Sequence, residues 1–240
     1  MITVLFFSTF LYAGEVAPSA PHGNISSGYS APVELGHCKP QAISKAEPEE
    51  VFARKEAEKA DLSKTEILAR LIYSEALSSG YWKKKCNAHS GEDVMAAVGW
   101  GIMNRVKDKM RNSLDAYSDV IFAKMQFRTS FSSKNGNPFA VSFLCPLRSQ
   151  TYLNETPGKP AAAHLYKTAQ ETAEKIVNEF ERNGIPEKYK GITNFFYPES
   201  EFFGELRPSW APHKNPAKNK GYVNILGVTE KPCVETYRLK

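Results

Sequence analysis

The sequence predicts an α+β fold that is mostly α-helical, built as one domain. Apolar residues recur at helical spacing in three separate segments, around residues 63–80, 92–110 and 160–182. Strand and hairpin signals are confined to shorter stretches, among them Asn135-Gly136 and Tyr222 to Val228. A chain of 240 residues with 42% hydrophobic composition can bury one good core, and a second core would leave each too small.

Ile2 to Tyr12 is an apolar run followed by the small residues Ala13 and Gly14, so residues 1–13 read as a secretory signal segment. The run is shorter than a membrane span, and Met1 stands where a positive n-region is usual. Residues 14–60 read as a flexible tail with a lead-in helix. Gly14 to Pro40 is too rich in Pro, Ser and Gly to bury much apolar surface, whereas the charged stretch Lys45 to Asp61 has helical character. Residues 61–240 are then the folded domain. Secreted or periplasmic placement follows, with no stable membrane insertion. The net charge of +5 suits an acidic polymer as partner; no basic and aromatic nucleic-acid motif accompanies it, so no nucleic acid is expected.

The four cysteines, Cys38, Cys86, Cys145 and Cys233, fit two disulfides in an oxidising compartment. Three pairings are open, with Cys86–Cys145 and Cys38–Cys233 preferred. Zinc is the rival reading, from His37-Cys38 and Cys86-x-x-His89. It lacks a second clustered pair at ligand spacing, so no metal and no cofactor are expected.

Ser63 and Glu66 make a capping box in which hydroxyl and carboxylate each take the other residue's N–H, and Glu66 has no other role. Ile67, Leu68, Leu71, Ile72 and Ala76 form the apolar stripe of the helix they open, and Gly80 ends it. Glu75 falls on that stripe at the carboxyl end. Partial burial and the negative end of the helix dipole both disfavour a charged carboxyl there, which is the tuning a general acid near neutral pH needs. The plainer alternative is a glutamate on the rim with its head in water.

Ser90 and Asp93 open the next helix, Glu92 to about Met110, with Val94, Met95, Ala97, Val98, Ile102 and Val106 buried. Gly99 and Gly101 weaken it and imply close approach by another backbone, expected from the Glu75 helix. Asp119 to Met125 reads as a short helix, and Gln126 to Asn154 as a small irregular β-region, with Pro138 and Pro146 excluding helix. No Asp or Glu occurs between Asp119 and Glu155. Pro160 to Arg182 is the longest helix, closed by Asn183-Gly184, with Leu165, Ala169, Ala173, Ile176, Val177 and Phe180 inward and His164 at the surface. Gly191 to Trp210 is an aromatic-rich loop with one short strand, and Phe195, Phe202 and Phe203 are expected in the core.

Three stretches taken together resemble one family. They are Leu68 to Ala76 (LARLIYSEA), Met95 to Lys107 (MAAVGWGIMNRVK) with Val120 to Phe127 (VIFAKMQF), and Gly191 to Tyr197 (GITNFFY) with Arg207 to Ala211 (RPSWA). Their order and spacing resemble the SleB-type cell-wall hydrolases, relatives of lytic transglycosylases and goose-type lysozyme. The likeness runs from about Leu62 to Ala211; Phe139 to Pro160 matches nothing in the pattern, and the C-terminal strand diverges. It implies a lysozyme-like helical domain that cleaves the MurNAc-β-1,4-GlcNAc bond of peptidoglycan, with Glu75 as acid and then base. Gln126, Phe127, Asn194, Tyr197 and Trp210 would bind sugar. Ser130 would join them, displaced from the family's serine position by Arg128 and Thr129.

Sugar faces pack on aromatic rings, which suits Tyr197 and Trp210. The expected partner is therefore the peptidoglycan glycan strand. A hydrolytic lysozyme and a non-catalytic peptidoglycan-binding module are the alternatives. No acid lies in the β-region to serve as second carboxylate, and Glu199, Glu201 and Glu205, the remaining candidates, lie on the aromatic loop and are expected in water, so lytic transglycosylation is favoured over hydrolysis.

Overall fold

The computed structural model describes residues 35, 48–78, 92–109, 114–123, 127, 142–146, 162–196, 222–225 and 235–239, all within the unit Ala31–Lys240. The fold is α+β and mostly α. Among the described residues, five α-helices, α1 (Glu49–Lys59), α2 (Lys64–Ser78), α3 (Glu92–Asp108), α4 (Leu114–Ile121) and α5 (Ala162–Asn183), precede three short strands, β1 (Asn194–Phe196), β2 (Tyr222–Ile225) and β3 (Glu235–Leu239). The strands form an antiparallel sheet in the order β1-β3-β2, so the last strand is the central one.

Pro48 starts α1, Glu49 and Glu50 suit its positive end, and Ala53 and Ala57 bury a narrow face one turn apart. Asp61 takes a left-handed conformation (φ 51°) in the turn to α2, a geometry aspartate tolerates better than most residues. Ser63 Oγ accepts the Glu66 N–H at 3.2 Å, which fixes the start of α2.

From Ile67 to Ala76 every residue of α2 is buried. The stripe expected from the sequence is thus only part of what is covered: α3, α4, α5 and the turn 142–146 surround this helix.

Gly99 permits close packing of α3 against two other helices. A Cβ built there would lie 2.4 Å from Ile176 Cδ1 of α5 and 2.9 Å from Ile72 Cδ1 of α2. The close approach is by two side chains from two helices, not by the α2 backbone as expected. Gly101 faces the other way, with Ile192 Cγ2 and Phe195 Cδ1 each 3.5 Å from its built Cβ. Two residues subtend about 200° around a helix, so α3 stands between α2 and α5 on one side and β1 on the other.

The short helix α4 begins at Leu114 and ends at Ile121, five residues before and four before the expected bounds. Ala116, Tyr117, Val120 and Ile121 form its buried face, and Asp119, read as its start, instead meets Arg54 of α1 at 3.5 Å. β1 falls within Gly191–Trp210 and β2 within Tyr222–Val228, where strands are expected from the sequence. Within Gln126–Asn154 the described residues are Phe127 and 142–146, which hold turns, and the three strands come from the last third of the chain.

β3 was not anticipated. Thr236 and Tyr237 point to opposite faces and are each 1% exposed, so the central strand is covered on both sides.

Among the described residues the buried Tyr117 hydroxyl has no hydrogen-bond partner. Because an unpaired buried hydroxyl costs about 1–3 kcal/mol, Tyr117→Phe is expected to raise stability by about 1 kcal/mol, read as an increase in Tm of a few degrees. A lower Tm would mean that the hydroxyl has a partner on folding.

Candidate functional site

Glu75 is 7% exposed, three residues from the carboxyl end of the central helix. It is not the rim glutamate of the plainer alternative. Glu75 is not without a partner. Among the described residues the only other buried carboxylate is Glu50, in the first turn of α1.

One and two turns before Glu75, α2 carries a buried polar network. Arg70 is 0% exposed. Its Nε donates to Glu66 Oε1 at 2.9 Å, and its Nη1 donates to the carbonyls of Phe143 (3.1 Å) and Leu144 (3.3 Å). The Tyr166 hydroxyl from α5 donates to the same Glu66 oxygen at 2.6 Å. Tyr73 packs edge-on against Tyr166, ring centroids 5.1 Å apart, and its hydroxyl donates to Pro146 O at 3.0 Å.

This corrects the reading of Glu66 as a cap alone. Its N–H is capped by Ser63, but its carboxylate accepts from Arg70 and Tyr166 instead of returning to the Ser63 N–H. A buried guanidinium needs an anion within reach, and Glu66 at i−4 is the nearest that α2 offers.

The sugar-binding candidates divide. Phe127 is 3% exposed; its ring stacks with Phe195 (6.5 Å, 22°), and the Arg105 guanidinium carbon lies 5.3 Å from its centroid. It is a packed wall, with little surface left for a sugar. Asn194 is half-buried at the start of β1, opposite Tyr237 of β3. Phe195, expected in the core, packs against it.

Phe127 and the β1 strand are therefore brought together on the Gly101 face of α3, while α2, the helix of Glu75, packs on the Gly99 face. Gln126, Ser130, Tyr197 and Trp210 lie outside the described residues, as do Cys38, His37, Cys86, His89 and Cys233. Cys145 is described and is disulfide-bonded. Among the described residues no group of three or more His, Cys, Asp and Glu side chains could hold a metal ion, and no helix is long and apolar enough to cross a membrane.

Asn104 and Arg105 are the residues that sequence reasoning passed over. Asn104 Nδ2 donates to Trp100 O (2.9 Å) and Tyr189 O (2.8 Å), and its Oδ1 accepts the Gly191 N–H at 3.0 Å. Arg105 Nε donates to Thr193 O at 2.6 Å. Together they fasten the turn leading into β1, where Gly191 takes φ 74°, and Tyr189 stacks on Trp100 at 5.7 Å. The available signal was a lone amide on the apolar side of a helix, between Met103 and Val106.

Burial raises the Tyr166 and Tyr117 hydroxyls well above the usual tyrosine range. At Tyr117 the charge of Glu181 adds to burial; at Tyr166 the nearby Arg70 charge opposes it and Glu66 adds to it. Tyr189 moves up in the same way, by burial first and then by Asp93 and Glu179. Each raised group holds its proton in the folded state after the unfolded chain has lost it. Its stabilisation is present below the unfolded tyrosine value, about pH 10, and is lost as pH rises above it, by up to about 1.4 kcal/mol per pH unit per tyrosine. Urea midpoints measured from pH 8 to 11.5 should fall steeply only above about pH 10. A flat profile there would contradict the burial of these hydroxyls.

No family model, curated protein or solved structure matches this chain.

Proposed function

We propose that this protein is a peptidoglycan-cleaving muramidase that cuts the MurNAc-β-1,4-GlcNAc bond with Glu75 as its one catalytic carboxyl. The observation that carries the reading is Glu75 itself: buried, near the carboxyl end of a helix whose residues Ile67–Ala76 are all buried. Burial costs an ionised carboxylate far more than a neutral carboxyl, so a glutamate kept in such a place needs a reason. Proton donation to a leaving oxygen is a good one. The resemblance of LARLIYSEA and its companion stretches to the SleB-type hydrolases points to the same residue.

The chemistry follows from having one carboxyl. Glu75 gives its proton to the glycosidic oxygen as the bond to the muramic C1 breaks, and the glucosaminyl unit leaves as an alcohol. The resulting carboxylate then takes the proton of the muramic 6-hydroxyl while that oxygen bonds to C1. Glu75 is restored, no water is consumed, and a 1,6-anhydro ring closes. Hydrolysis would need a second carboxylate or a placed water, and residues 126–154 contain no Asp or Glu.

The test is digestion of purified sacculi, with the muropeptides weighed before any chemical reduction. Anhydro-muramic ends, one water lighter than reducing ends, are the expected products. Reducing muramic ends alone would make the protein a hydrolytic lysozyme with the same acid. Binding to sacculi without release of any fragment would make it a binding module.

A further inference from the structure

We infer that Cys145 is disulfide-bonded to Cys38, so that the segment read as a flexible tail is covalently part of the folded domain. The pairing takes the place of the preferred Cys86–Cys145, and it stands whether or not the protein cleaves peptidoglycan.

Leu35 carries the argument. It is 2% exposed and belongs to the main core, although it lies in Gly14 to Pro40, a stretch too rich in Pro, Ser and Gly to bury much surface of its own. Its N–H donates to Leu144 O at 2.9 Å, and its own carbonyl oxygen lies 3.9 Å from Cys145 Sγ. Cys145 is buried and disulfide-bonded. Cys38 follows Leu35 by three residues, so its Cα is within about 10 Å of the Leu35 Cα whatever path the chain takes. A disulfide asks for about 4.4–6.8 Å between the two Cα atoms, which that reach covers.

The rival cysteines are tethered less closely to that sulfur. Cys233 stands two residues before β3, whose partner β1 packs on the Gly101 face of α3. The turn of Cys145 is bonded instead to α2, which packs on the Gly99 face. Cys86 is eight residues beyond the end of α2 and six before the start of α3, so neither helix brings it to Cys145 as Leu35 brings Cys38.

Energetics point the same way. One buried leucine and one hydrogen bond gain about what the ordering of three or four residues costs, which leaves little to hold a tail in place. A covalent tie three residues along the chain removes that weakness. It closes a loop of more than a hundred residues, a length at which a disulfide restricts the unfolded chain strongly. In forming it, the two thiols give up two protons and two electrons to a disulfide oxidant, which leaves as a dithiol. Cys86 and Cys233 then remain for each other.

Trypsin leaves the four cysteines on four separate peptides, so the bond can be read directly. The full chain, produced in an oxidising compartment, is denatured in iodoacetamide, digested without reduction and weighed. The peptide of Cys38 joined to that of Cys145 is the expected cross-link. Cys145 joined to Cys86 or to Cys233, several pairings in comparable amounts, or an alkylated Cys145 overturns the proposal. Thermal melts give a second reading. Cys38→Ala and Cys145→Ala should each lower Tm by several degrees, and the double variant should fall little further, because the same bond is lost in all three. Losses that add in that double variant, or that fail to add when Cys86→Ala is combined with Cys145→Ala, overturn it too.

Discussion

Glu75→Gln is expected to lower the rate of fragment release from sacculi by about a thousandfold, which corresponds to about 4 kcal/mol of barrier. The amide has the shape of the carboxyl and can still accept a hydrogen bond, but it has no proton to give to the leaving oxygen and no basicity to recover one. Its site is 7% exposed, so an uncharged side chain of equal size is no worse a tenant there, and Tm should stay within a few degrees of wild type. Initial rates on dye-labelled sacculi, set beside a thermal melt of the same preparation, give both numbers. Activity above about a tenth of wild type, or about 1.4 kcal/mol, would assign the acid to another residue. Loss of activity together with a collapse of Tm would mean that Glu75 is structural.

Much of the helical framework was legible because its signals are local. Ser63 before Glu66, Pro160 and Asn183-Gly184 bracket helices whose apolar residues keep a 3.6 period, and α2, α3 and α5 lie close to the bounds those signals give. The misses share a different cause. Arg70 carries no local signal, and Glu66 reads as a cap, until a partner 73 residues away in sequence and a hydroxyl 100 away are brought to them. β3 (ETYRL) alternates polar and apolar too briefly to announce a strand, and its central place comes from pairing with β1 and β2. Asp119 looked like a helix start because it precedes an apolar run, but long-range packing of Ala116 and Tyr117 drew the helix back to Leu114. At the candidate site the burial of Glu75 was legible from local pattern. The burial of Phe127 between Phe195 and Arg105 depends on contacts that no spacing rule encodes.

Arg70→Met should destabilise the protein by about 3–5 kcal/mol, the usual cost of removing one partner from a buried ion pair. For a chain of this length that is a fall in Tm of roughly 6–20 °C. Met matches the volume and fills the channel through the core, so the loss isolates the polar bonds from the packing. Two effects add. The Phe143 and Leu144 carbonyls lose the Arg70 donor, and Glu66 loses its counter-charge and keeps the Tyr166 hydrogen bond. They separate in a double variant. Adding Glu66→Gln to Arg70→Met removes the uncompensated charge but leaves the carbonyls as they were, so it should recover part of the loss and not all of it. Full recovery would show that the Glu66 charge was the whole penalty and that Arg70 contributes nothing by holding the turn. A loss below about 1 kcal/mol in the single variant would place the guanidinium in water, as an exposed pair would be. Between these limits, the unrecovered remainder measures how firmly α2 holds residues 142–146.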